Sequence, residues 1–245
     1  MTHGLVDIHQ HVIYGVDDGP TKWEETEAML EKAVSQGIER IVATSHVSPG
    51  RVHFDYPEYL DKLNKINYLI WEKKWKLRLL PGCEIYYSPQ VLDRLTRRKI
   101  PTLAMSDHIL VEFSPFEEYS TIFDALRNLA NAGYHPILAH VERYQCMHDK
   151  MQSVLDLKEF DAFIQMNAQT VLHSQGFGAK RFIRRLLEEE VVDFVATDAH
   201  NTSSRPVCLG DAYEFLKKNY SEELADRLTW KNQWKITPAL NTSLA

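Results

Sequence analysis

Short apolar segments rich in β-branched residues alternate with longer amphipathic segments along the chain, and this alternation limits the possible folds most strongly. The strand-like segments are seven in number: 5–9, 40–45, 77–84, 109–113, 136–140, 162–167 and 193–197. The helix-like segments between and after them are 24–36, 57–74, 89–98, 120–132, 179–190 and 206–219, followed by a short helix from Glu222. Such alternation is typical of a parallel α/β fold.

Seven strand–helix units in 245 residues predict a closed or nearly closed (β/α)7 barrel similar to the TIM barrel. An open doubly wound sheet is the alternative, but that fold usually places a Gly-rich phosphate turn after its first strand. Here the first strand runs into Asp7-Ile8-His9-Gln10-His11 instead. Because no linker, repeat or charged block divides the chain, we expect a single domain over residues 1–245, with weak order in 234–245.

Composition excludes several classes of function. The net charge of -6 disfavours sequence-independent nucleic-acid binding, which needs a basic face. The chain contains neither a secretory signal nor an apolar run of the roughly 20 residues that a bilayer requires. Three scattered cysteines are typical of free thiols in a reducing compartment. We therefore expect a soluble, cytoplasmic protein that does not insert into a membrane.

Polar side chains follow the apolar run of almost every predicted strand. Period-two alternation places Asp7, His9 and His11 on one face at the end of the first strand. The later strands end at or next to His46, Glu84, Glu112, His140, Asn167, Asp198 and His200. A lone histidine there is more often a hydrogen-bonded loop residue than a ligand. The joint pattern predicts a metal site, because the carboxyl ends of barrel strands form one active-site face.

The donor types narrow the choice of metal. His11, His46, His140 and His200, with the carboxylates Asp18, Glu84, Glu112 and Asp198, exceed the four ligands of one zinc site. Imidazole and carboxylate donors without cysteine favour Mn²⁺, Fe or Zn²⁺, and bridging carboxylates allow a multi-metal centre for phosphate ester hydrolysis. The other histidines, at positions 3, 53, 108, 135, 148 and 173, are assigned no role in the site.

Two arginines lie in loops expected on the same face. Arg143 follows His140 by three residues, and Arg205 follows His200 by five. A guanidinium group binds phosphate with two parallel hydrogen bonds, although spacing alone leaves a surface role equally open. The basic clusters 94/97/98/99 and 181/184/185 have helical spacing and are expected on solvated helix faces.

Nucleophilic cysteine and serine mechanisms are excluded by the sequence. A cysteine-dependent phosphatase needs an arginine six residues after its cysteine, whereas Cys83, Cys146 and Cys208 are followed there by proline, glutamine and glutamate. The GxSxG motif of serine hydrolases does not occur either.

The motifs DIHQHVIYGVDDGP, TSH, PGCEIYY, LVEF, AHVERY and TDAHN resemble the PHP superfamily (polymerase and histidinol phosphatase). They are most similar to the CpsB/YwqE-like manganese-dependent protein-tyrosine phosphatases of bacterial polysaccharide operons. The match extends from the first strand to about Pro206. It departs from the family pattern in the last motif, which reads TDAHN where the family has SDxHN.

The resemblance implies a distorted (β/α)7 barrel that holds three metal ions, most often Mn²⁺. One metal would be bound by His9, His11, Glu84 and Asp198, a second by Glu84, Glu112 and His140, and a third by Asp18, His46 and His200. Glutamate at position 112, where many small-molecule PHP phosphatases carry histidine, favours the tyrosine-phosphatase branch. Arg143 and Arg205 match the phosphate-binding arginines of the family.

The implied reaction is attack on phosphorus by a hydroxide bridging the metals, with Asp18, Asp198 or a water as candidate proton donors. The implied substrate is the tyrosine-rich tail of a bacterial tyrosine autokinase. Tyr86 and Tyr87 are candidates for an aromatic rim around phosphotyrosine, and packing under a loop is an equal alternative.

Four other functions stay open. A histidinol phosphatase would need an acidic pocket for its cationic substrate, and a PHP exonuclease is disfavoured by the acidic charge. An amidohydrolase typically has a bridging lysine at a strand end, and no predicted strand ends in lysine. A non-catalytic metal-bound scaffold for a kinase complex would bind metal without turnover.

Overall fold

A computed structural model describes residues 4–148, 150–174 and 176–237. Its strands are β1 (Leu5–Gln10), β2 (Ile38–Ala43), β3 (His46–Val47), β4 (Arg78–Pro81), β5 (Glu84–Tyr86), β6 (His108–Glu112), β7 (His135–Leu138), β8 (Phe163–Asn167) and β9 (Phe194–Ala196). Its α-helices are α1 (Trp23–Ser35), α2 (Tyr56–Glu72), α3 (Val91–Thr96), α4 (Tyr119–Asn131), α5 (Met151–Leu157), α6 (Ala168–His173), α7 (Phe177–Glu188), α8 (Leu209–Asn219), α9 (Glu222–Asp226) and α10 (Asn232–Ile236).

These strand segments form seven parallel strands, because β3 continues β2 and β5 continues β4 after short breaks. The breaks divide the hydrogen-bonded sheet into two parts, ordered β1-β2-β4 and β3-β5-β6-β7-β8-β9. A parallel bridge between Gln10 and Ala199 joins β1 to the segment after β9, and the Asp198 N–H donates to the His9 carbonyl oxygen at 2.7 Å. The prediction of a distorted (β/α)7 barrel is confirmed.

Successive strand residues pack on opposite sides of the sheet, which produces two apolar layers. Val6, Val42, Leu80, Leu110 and Ile137 belong to a small cluster, and their strand neighbours pack in a larger cluster with the helices. Because the small cluster takes one side of each strand around the ring, it fills the barrel interior. The interior is thus a packed core, and polar chemistry is left to the strand ends.

The helices follow their sequence signals with shifts of a few residues. In α2, the Asp55 side chain accepts a hydrogen bond from the Glu58 N–H at 3.0 Å and so caps the helix start, next to Pro57 in the first turn. The sequence analysis did not predict α5 and α6. Each has only six or seven residues, which is too short for a helical repeat of apolar residues to be recognised.

The end of the described chain differs from the expected weak order of 234–245. Residues Asn232–Ile236 form α10, and Ile236 is buried against the interior cluster. The Arg40 guanidinium lies 3.3 Å from the centre of the Trp234 ring, a cation–π contact. Residues 238–245 lie outside the described residues.

Among the described residues, no helix has both the length and the apolar character needed to cross a bilayer.

We predict that α10 contributes to stability through Ile236. The substitution Ile236→Ala removes a side chain that is 1% exposed and should lower the free energy of unfolding by about 2–4 kcal/mol. Lys235→Ala, on the exposed side of the same helix, should change it by less than about 0.5 kcal/mol. Urea unfolding of both variants in chelator measures this, and equal losses would contradict the packing role of Ile236.

Candidate metal centre

The nine residues predicted as metal ligands lie together at the carboxyl ends of the strands. The set is His9, His11, Asp18, His46, Glu84, Glu112, His140, Asp198 and His200, and the structure joins each of them to another member at 3.6 Å or less. His9 and Glu112 lie near the ends of β1 and β6, and His46 and Glu84 begin β3 and β5, the segments that continue β2 and β4. The other donors follow β1, β7 and β9, with Asp18 in the loop after β1. Convergence of this kind is the expected consequence of parallel strands around a barrel.

Glu84 lies at the middle of this cluster and is fully buried. Its Oε2 is 3.0 Å from His9 Nε2 and 3.1 Å from His11 Nε2. Its Oε1 is 2.9 Å from His140 Nε2. His46 Nδ1 also lies 3.3 Å from Oε2. One buried carboxylate is therefore shared by four imidazole rings, as in a carboxylate that bridges two cations.

The backbone is left-handed at two of these positions. His140 has φ of 35° and Asp198 has φ of 53°, although neither is glycine. Left-handed non-glycine residues are uncommon and cluster at functional sites, where the surrounding structure holds them. Each lies just after a strand, so the chain turns sharply at the point where the side chain enters the site.

Three groups of donor atoms lie close enough to hold a metal ion, with all donors of a group within 4.8 Å of one another. The groups are His9, His11, Glu84 and Asp198; His11, Asp18, His46 and His200; and His46, Glu84 and Glu112. The first equals the first set implied by the family resemblance. The other two differ from the implied sets, because His11 also lies with the Asp18 group and His46 also lies with Glu112. His140 adjoins the third group, with Nε2 3.6 Å from Glu112 Oε2.

The outer nitrogens of three of the histidines are already engaged, which tests whether these residues fit a metal. His11 Nδ1 lies 2.7 Å from Asp17 Oδ2, and His9 Nδ1 lies 3.2 Å from Gln165 Oε1. His200 Nδ1 lies 3.0 Å from the Asp198 carbonyl oxygen. A hydrogen bond at Nδ1 fixes the tautomer in which the Nε2 lone pair points inward, which is the arrangement of metal-binding histidines.

The inward-facing atoms supply the second part of that test. Within the described ranges, His200 Nε2 and Glu84 Oε2 are buried and make no hydrogen bond, although charged or polar atoms lie about 3 Å away. Donor atoms that converge without hydrogen-bond geometry need another partner, because a buried polar atom left unpaired is costly. The residues fit a cluster of divalent cations bound by nitrogen and oxygen.

Asp17 and Gln165 are part of the site but were not predicted from the sequence. Asp17 also accepts hydrogen bonds from the backbone N–H groups of His46 at 2.9 Å and Gly19 at 3.0 Å. Gln165 Oε1 accepts from the His140 N–H at 2.8 Å. Asp17 was detectable as the first carboxylate of the VDDGP motif. Gln165 lies inside an apolar strand, where only its polarity marks it.

Asp7 supports the site from behind. Its carboxylate accepts hydrogen bonds from the Thr197 N–H at 3.0 Å, the Thr197 hydroxyl at 2.5 Å and the His9 N–H at 3.3 Å. Burial raises the pKa of Asp7 to about 6 in spite of these hydrogen bonds. Asp7 thus links the ends of the first and last strands next to the metal centre.

Both predicted arginines lie at this site, and both bind the same carboxylate. Arg143 Nη2 is 2.6 Å from Asp198 Oδ2, and Arg205 Nη2 is 2.7 Å from Asp198 Oδ1. Asn167 Nδ2 donates to Asp198 Oδ2 at 2.8 Å. The arginine side chains are 40% and 31% exposed, whereas that of Asp198 is 1% exposed. The arginines therefore lie between the buried donors and solvent.

The charges of the cluster compensate one another. Burial lowers the pKa of His11, but the carboxylates of Asp17 and Glu84 outweigh this effect and raise the pKa to about 10. For His140, Glu112 and Glu84 likewise overcome burial and raise the pKa to about 9. Burial alone would raise the pKa of Glu84, but the surrounding histidines hold that pKa well below its usual range. In the metal-free protein, imidazolium protons supply the positive charge that this acidic site needs.

Two of the cysteines lie in buried environments that disfavour the thiolate. Burial raises the pKa of the Cys208 thiol to about 12 and shifts the pKa of the Cys83 thiol far upward. The Cys83 Sγ donates to the Pro101 carbonyl oxygen at 3.0 Å. The exclusion of a thiolate mechanism agrees with these environments.

Comparison with known proteins identifies close relatives over nearly the whole chain. Residues 5–237 match the family described as capsular polysaccharide synthesis, CpsB/CapC. The tyrosine-protein phosphatase CpsB of Streptococcus pneumoniae is 33% identical over 237 residues, covering 95% of this chain and 98% of that protein. The tyrosine-protein phosphatase YwqE of Bacillus subtilis strain 168 is 30% identical over 226 residues, covering 92% and 89%.

Solved structures agree with these relatives. A structure from the pair YwqE of Bacillus subtilis and CpsB of Streptococcus pneumoniae, described as unique metal-dependent tyrosine phosphatases, matches with a TM-score of 0.82 at 30% identity. It covers 90% of this chain and 89% of that chain. Histidinol phosphate phosphatase of Lactococcus lactis, solved with zinc, L-histidinol and phosphate, matches with a TM-score of 0.58 at 13% identity over 91% and 94% of the two chains. The second match shows a shared fold.

We predict that metal binding releases protons. The pKa values of about 10 for His11 and 9 for His140 lie above neutral pH, so both rings are protonated in the metal-free protein and must lose the proton to coordinate metal. Apparent affinity for Mn²⁺ or Zn²⁺ should therefore rise with pH from about 6 to about 9. Calorimetric titration near neutral pH in buffers of different ionisation enthalpy counts the released protons.

Asp17→Asn is the matched variant, because it removes the carboxylate that raises the pKa of His11. It should release fewer protons on metal binding and also bind metal about 10–100-fold more weakly. An unchanged proton count in this variant, or no release from the wild-type protein, would contradict the assignment.

Proposed function

Since the chain belongs to the CpsB/CapC family of capsular polysaccharide synthesis proteins, we propose that it is a metal-dependent phosphatase that hydrolyses phosphotyrosine in proteins. The observation that supports this most directly is the pairing of Arg143 and Arg205 on Asp198 at the open side of a buried nitrogen–oxygen donor cluster. A phosphate ester needs cations around its non-bridging oxygens and an activated water, and these residues are suited to both needs.

We infer that the nine donors hold three metal ions, with Mn²⁺ as the preferred metal and Fe or Zn²⁺ as alternatives. Imidazole and carboxylate ligands without thiolate suit Mn²⁺. When bound, the ions would supply positive charge next to the phosphate and lower the pKa of a water molecule. Asp17 and Gln165 would orient His11 and His9 for this purpose.

Arg143 and Arg205 would bind the phosphate group of the substrate. Each guanidinium uses one nitrogen on Asp198, and Arg205 Nη1 also lies 3.7 Å from Asp18 Oδ2. A guanidinium group has five N–H donors, so both arginines keep N–H groups that can bind phosphate oxygens. Because Asp198 fixes both arginines before substrate arrives, little side-chain entropy is lost when phosphate binds.

The surroundings of Asp198 disfavour it as a proton donor. Burial raises the pKa of Asp198, but His9, His11 and Arg143 outweigh this and hold the pKa far below its usual range. Asp18 is 61% exposed and lies 3.7 Å from Arg205 Nη1, on the solvent side of the cluster. A tyrosyl oxygen has a pKa near 10 and is a fair leaving group, so a strong acid is not required.

The residues around the mouth of the site, which is the solvent-facing opening above the donor cluster, suit an aromatic, anionic substrate. Tyr86 lies two residues after Glu84 on β5 and beneath the Arg51 guanidinium, 4.6 Å from the ring centre. Tyr87 instead packs against Phe113 at 5.2 Å, which agrees with the packing alternative for this residue. Arginines at the mouth disfavour a cationic substrate such as histidinol phosphate. We propose the phosphorylated tyrosine-rich tail of a bacterial tyrosine kinase, in the cytoplasm, as the natural substrate.

We predict that phosphotyrosyl peptide hydrolysis depends on metal and not on thiols. Chelator should abolish turnover, and added Mn²⁺ should restore it. The triple variant Cys83→Ser, Cys146→Ser, Cys208→Ser should keep its activity within a few-fold, and His140→Ala should lose at least about 100-fold in kcat. Hydrolysis that survives chelation, or that is lost with the cysteines in a folded variant, would contradict the proposal.

We predict that the two arginines of the site contribute to phosphotyrosine hydrolysis and that a surface arginine does not. Arg143→Gln and Arg205→Gln should each lower kcat/KM for a phosphotyrosyl peptide by about 10²–10³, because transition-state charge on phosphate loses a partner. Arg97→Gln, in an exposed pair with Asp93, is the control and should have no effect. Metal content measured by mass spectrometry should stay unchanged in all three variants. If activity and metal content fell together, the role of these arginines would be to assemble the metal site instead.

A further inference from the structure

A cavity lies beside the strand that carries His46. It has a volume of about 530 Å³ and lies between the loop after β3 and the end of α3. One of its lining residues, Val47, follows His46 in β3, so its side chain packs on the other side of this strand from the donor cluster. The loop is held in place on this side, because the Ser88 hydroxyl donates to the Pro49 carbonyl oxygen at 2.9 Å. The cavity is therefore a formed feature of the loop that follows the His46 strand.

Three cations line one wall of this cavity. Arg94, Arg98 and Lys99 are exposed, and within the described part of the chain their side chains make no ion pair. Their neighbour Arg97 points elsewhere and is bound to Asp93 at 2.7 Å. The spacing of this basic run predicted a solvated helix face, whereas the structure places three of its four members around a cavity.

The opposite wall contributes little negative charge. Among the described residues that line the cavity, Asp55 is the only one with a carboxylate. Its Oδ1 accepts the Glu58 N–H and caps α2, so part of its hydrogen-bonding capacity is committed to the helix. A positive cavity in a chain with a net charge of -6 concentrates anions locally.

Aromatic side chains complete the lining and connect it to the metal centre. Phe54 and Tyr56 stack with ring centres 6.1 Å apart and an interplanar angle of 23°. Arg51, in the same loop, lies over the ring of Tyr86, which is two residues from Glu84. Basic and aromatic groups thus continue from the metal centre to the cavity.

We propose that this cavity binds an anionic segment of the substrate protein next to the phosphotyrosine being hydrolysed, carrying acidic or further phosphorylated side chains. The inference rests on the proposed phosphatase function and adds the class of sequence that the enzyme prefers. A volume of this size accommodates a few side chains rather than a folded partner. Unpaired arginines next to aromatic rings suit carboxylate or phosphate groups on such a segment.

The test compares phosphotyrosyl peptides of equal length that carry glutamates on the amino-terminal side, glutamates on the carboxyl-terminal side, or glutamines on both. The wild-type enzyme should prefer one acidic peptide by about fivefold or more in kcat/KM, mainly through KM, and added salt should reduce the preference. The double variant Arg94→Gln, Arg98→Asn should lose it. Asparagine is chosen because residue 98 has φ of 52°, a left-handed conformation that asparagine tolerates.

A charge-matched control separates the cavity from general electrostatics. Arg97→Gln with Arg127→Gln removes two cations that pair with Asp93 and Asp124 on other surfaces, and it should keep the preference. Hydrolysis of p-nitrophenyl phosphate should be equal in all three proteins. The proposal is overturned if the wild-type enzyme shows no preference, or if both double variants lose it equally. Failure to hydrolyse any phosphotyrosyl peptide would overturn the proposed function itself.

Discussion

The carboxylate of Glu84 is buried where four imidazole rings meet, and the rest of the site depends on this arrangement. A buried anion is tolerated only when positive charge surrounds it. Imidazolium protons on His11 and His140 supply that charge without metal, and divalent cations supply it when bound. The two states compete for the same donor atoms, so the acid–base chemistry and the metal chemistry of this protein are coupled.

The same strand ends that build the site also close the barrel. Asp7 accepts hydrogen bonds from Thr197, while the Asp198 N–H donates to the His9 carbonyl oxygen. These contacts tie β1 to the segment after β9 within two residues of proposed ligands. Left-handed backbone at His140 and Asp198 is held by this closed framework. The same contacts therefore close the barrel and position the donor residues.

The sequence predicted the strand ends well because each of them joins an apolar run to a polar residue. The parallel topology then brings these polar residues close together in space. It did not distinguish the roles of the adjacent carboxylates in VDDGP: Asp17 lies behind His11, whereas Asp18 lies with the donor atoms of His46 and His200 on the solvent side of the cluster. Their difference depends on loop conformation. Gln165 was missed for a related reason, since its role arises only from contact with His9 and His140, far away in the chain. The short helix α10 was missed because its stability comes from burial of Ile236 rather than from its own periodicity.

Asp198 connects the metal chemistry to substrate binding. Its Oδ1 faces His9 at 3.3 Å and Arg205 at 2.7 Å, and its Oδ2 faces Arg143 and Asn167. If Asp198 binds metal through one oxygen, its other oxygen can still orient an arginine. Loss of the metal would therefore also disturb the groups that bind phosphate. Because both arginines share this anchor, their contributions to phosphate binding cannot be independent. The donor cluster lies beneath the arginines, so a phosphate group that approaches from solvent meets the guanidinium groups before it reaches the buried donors.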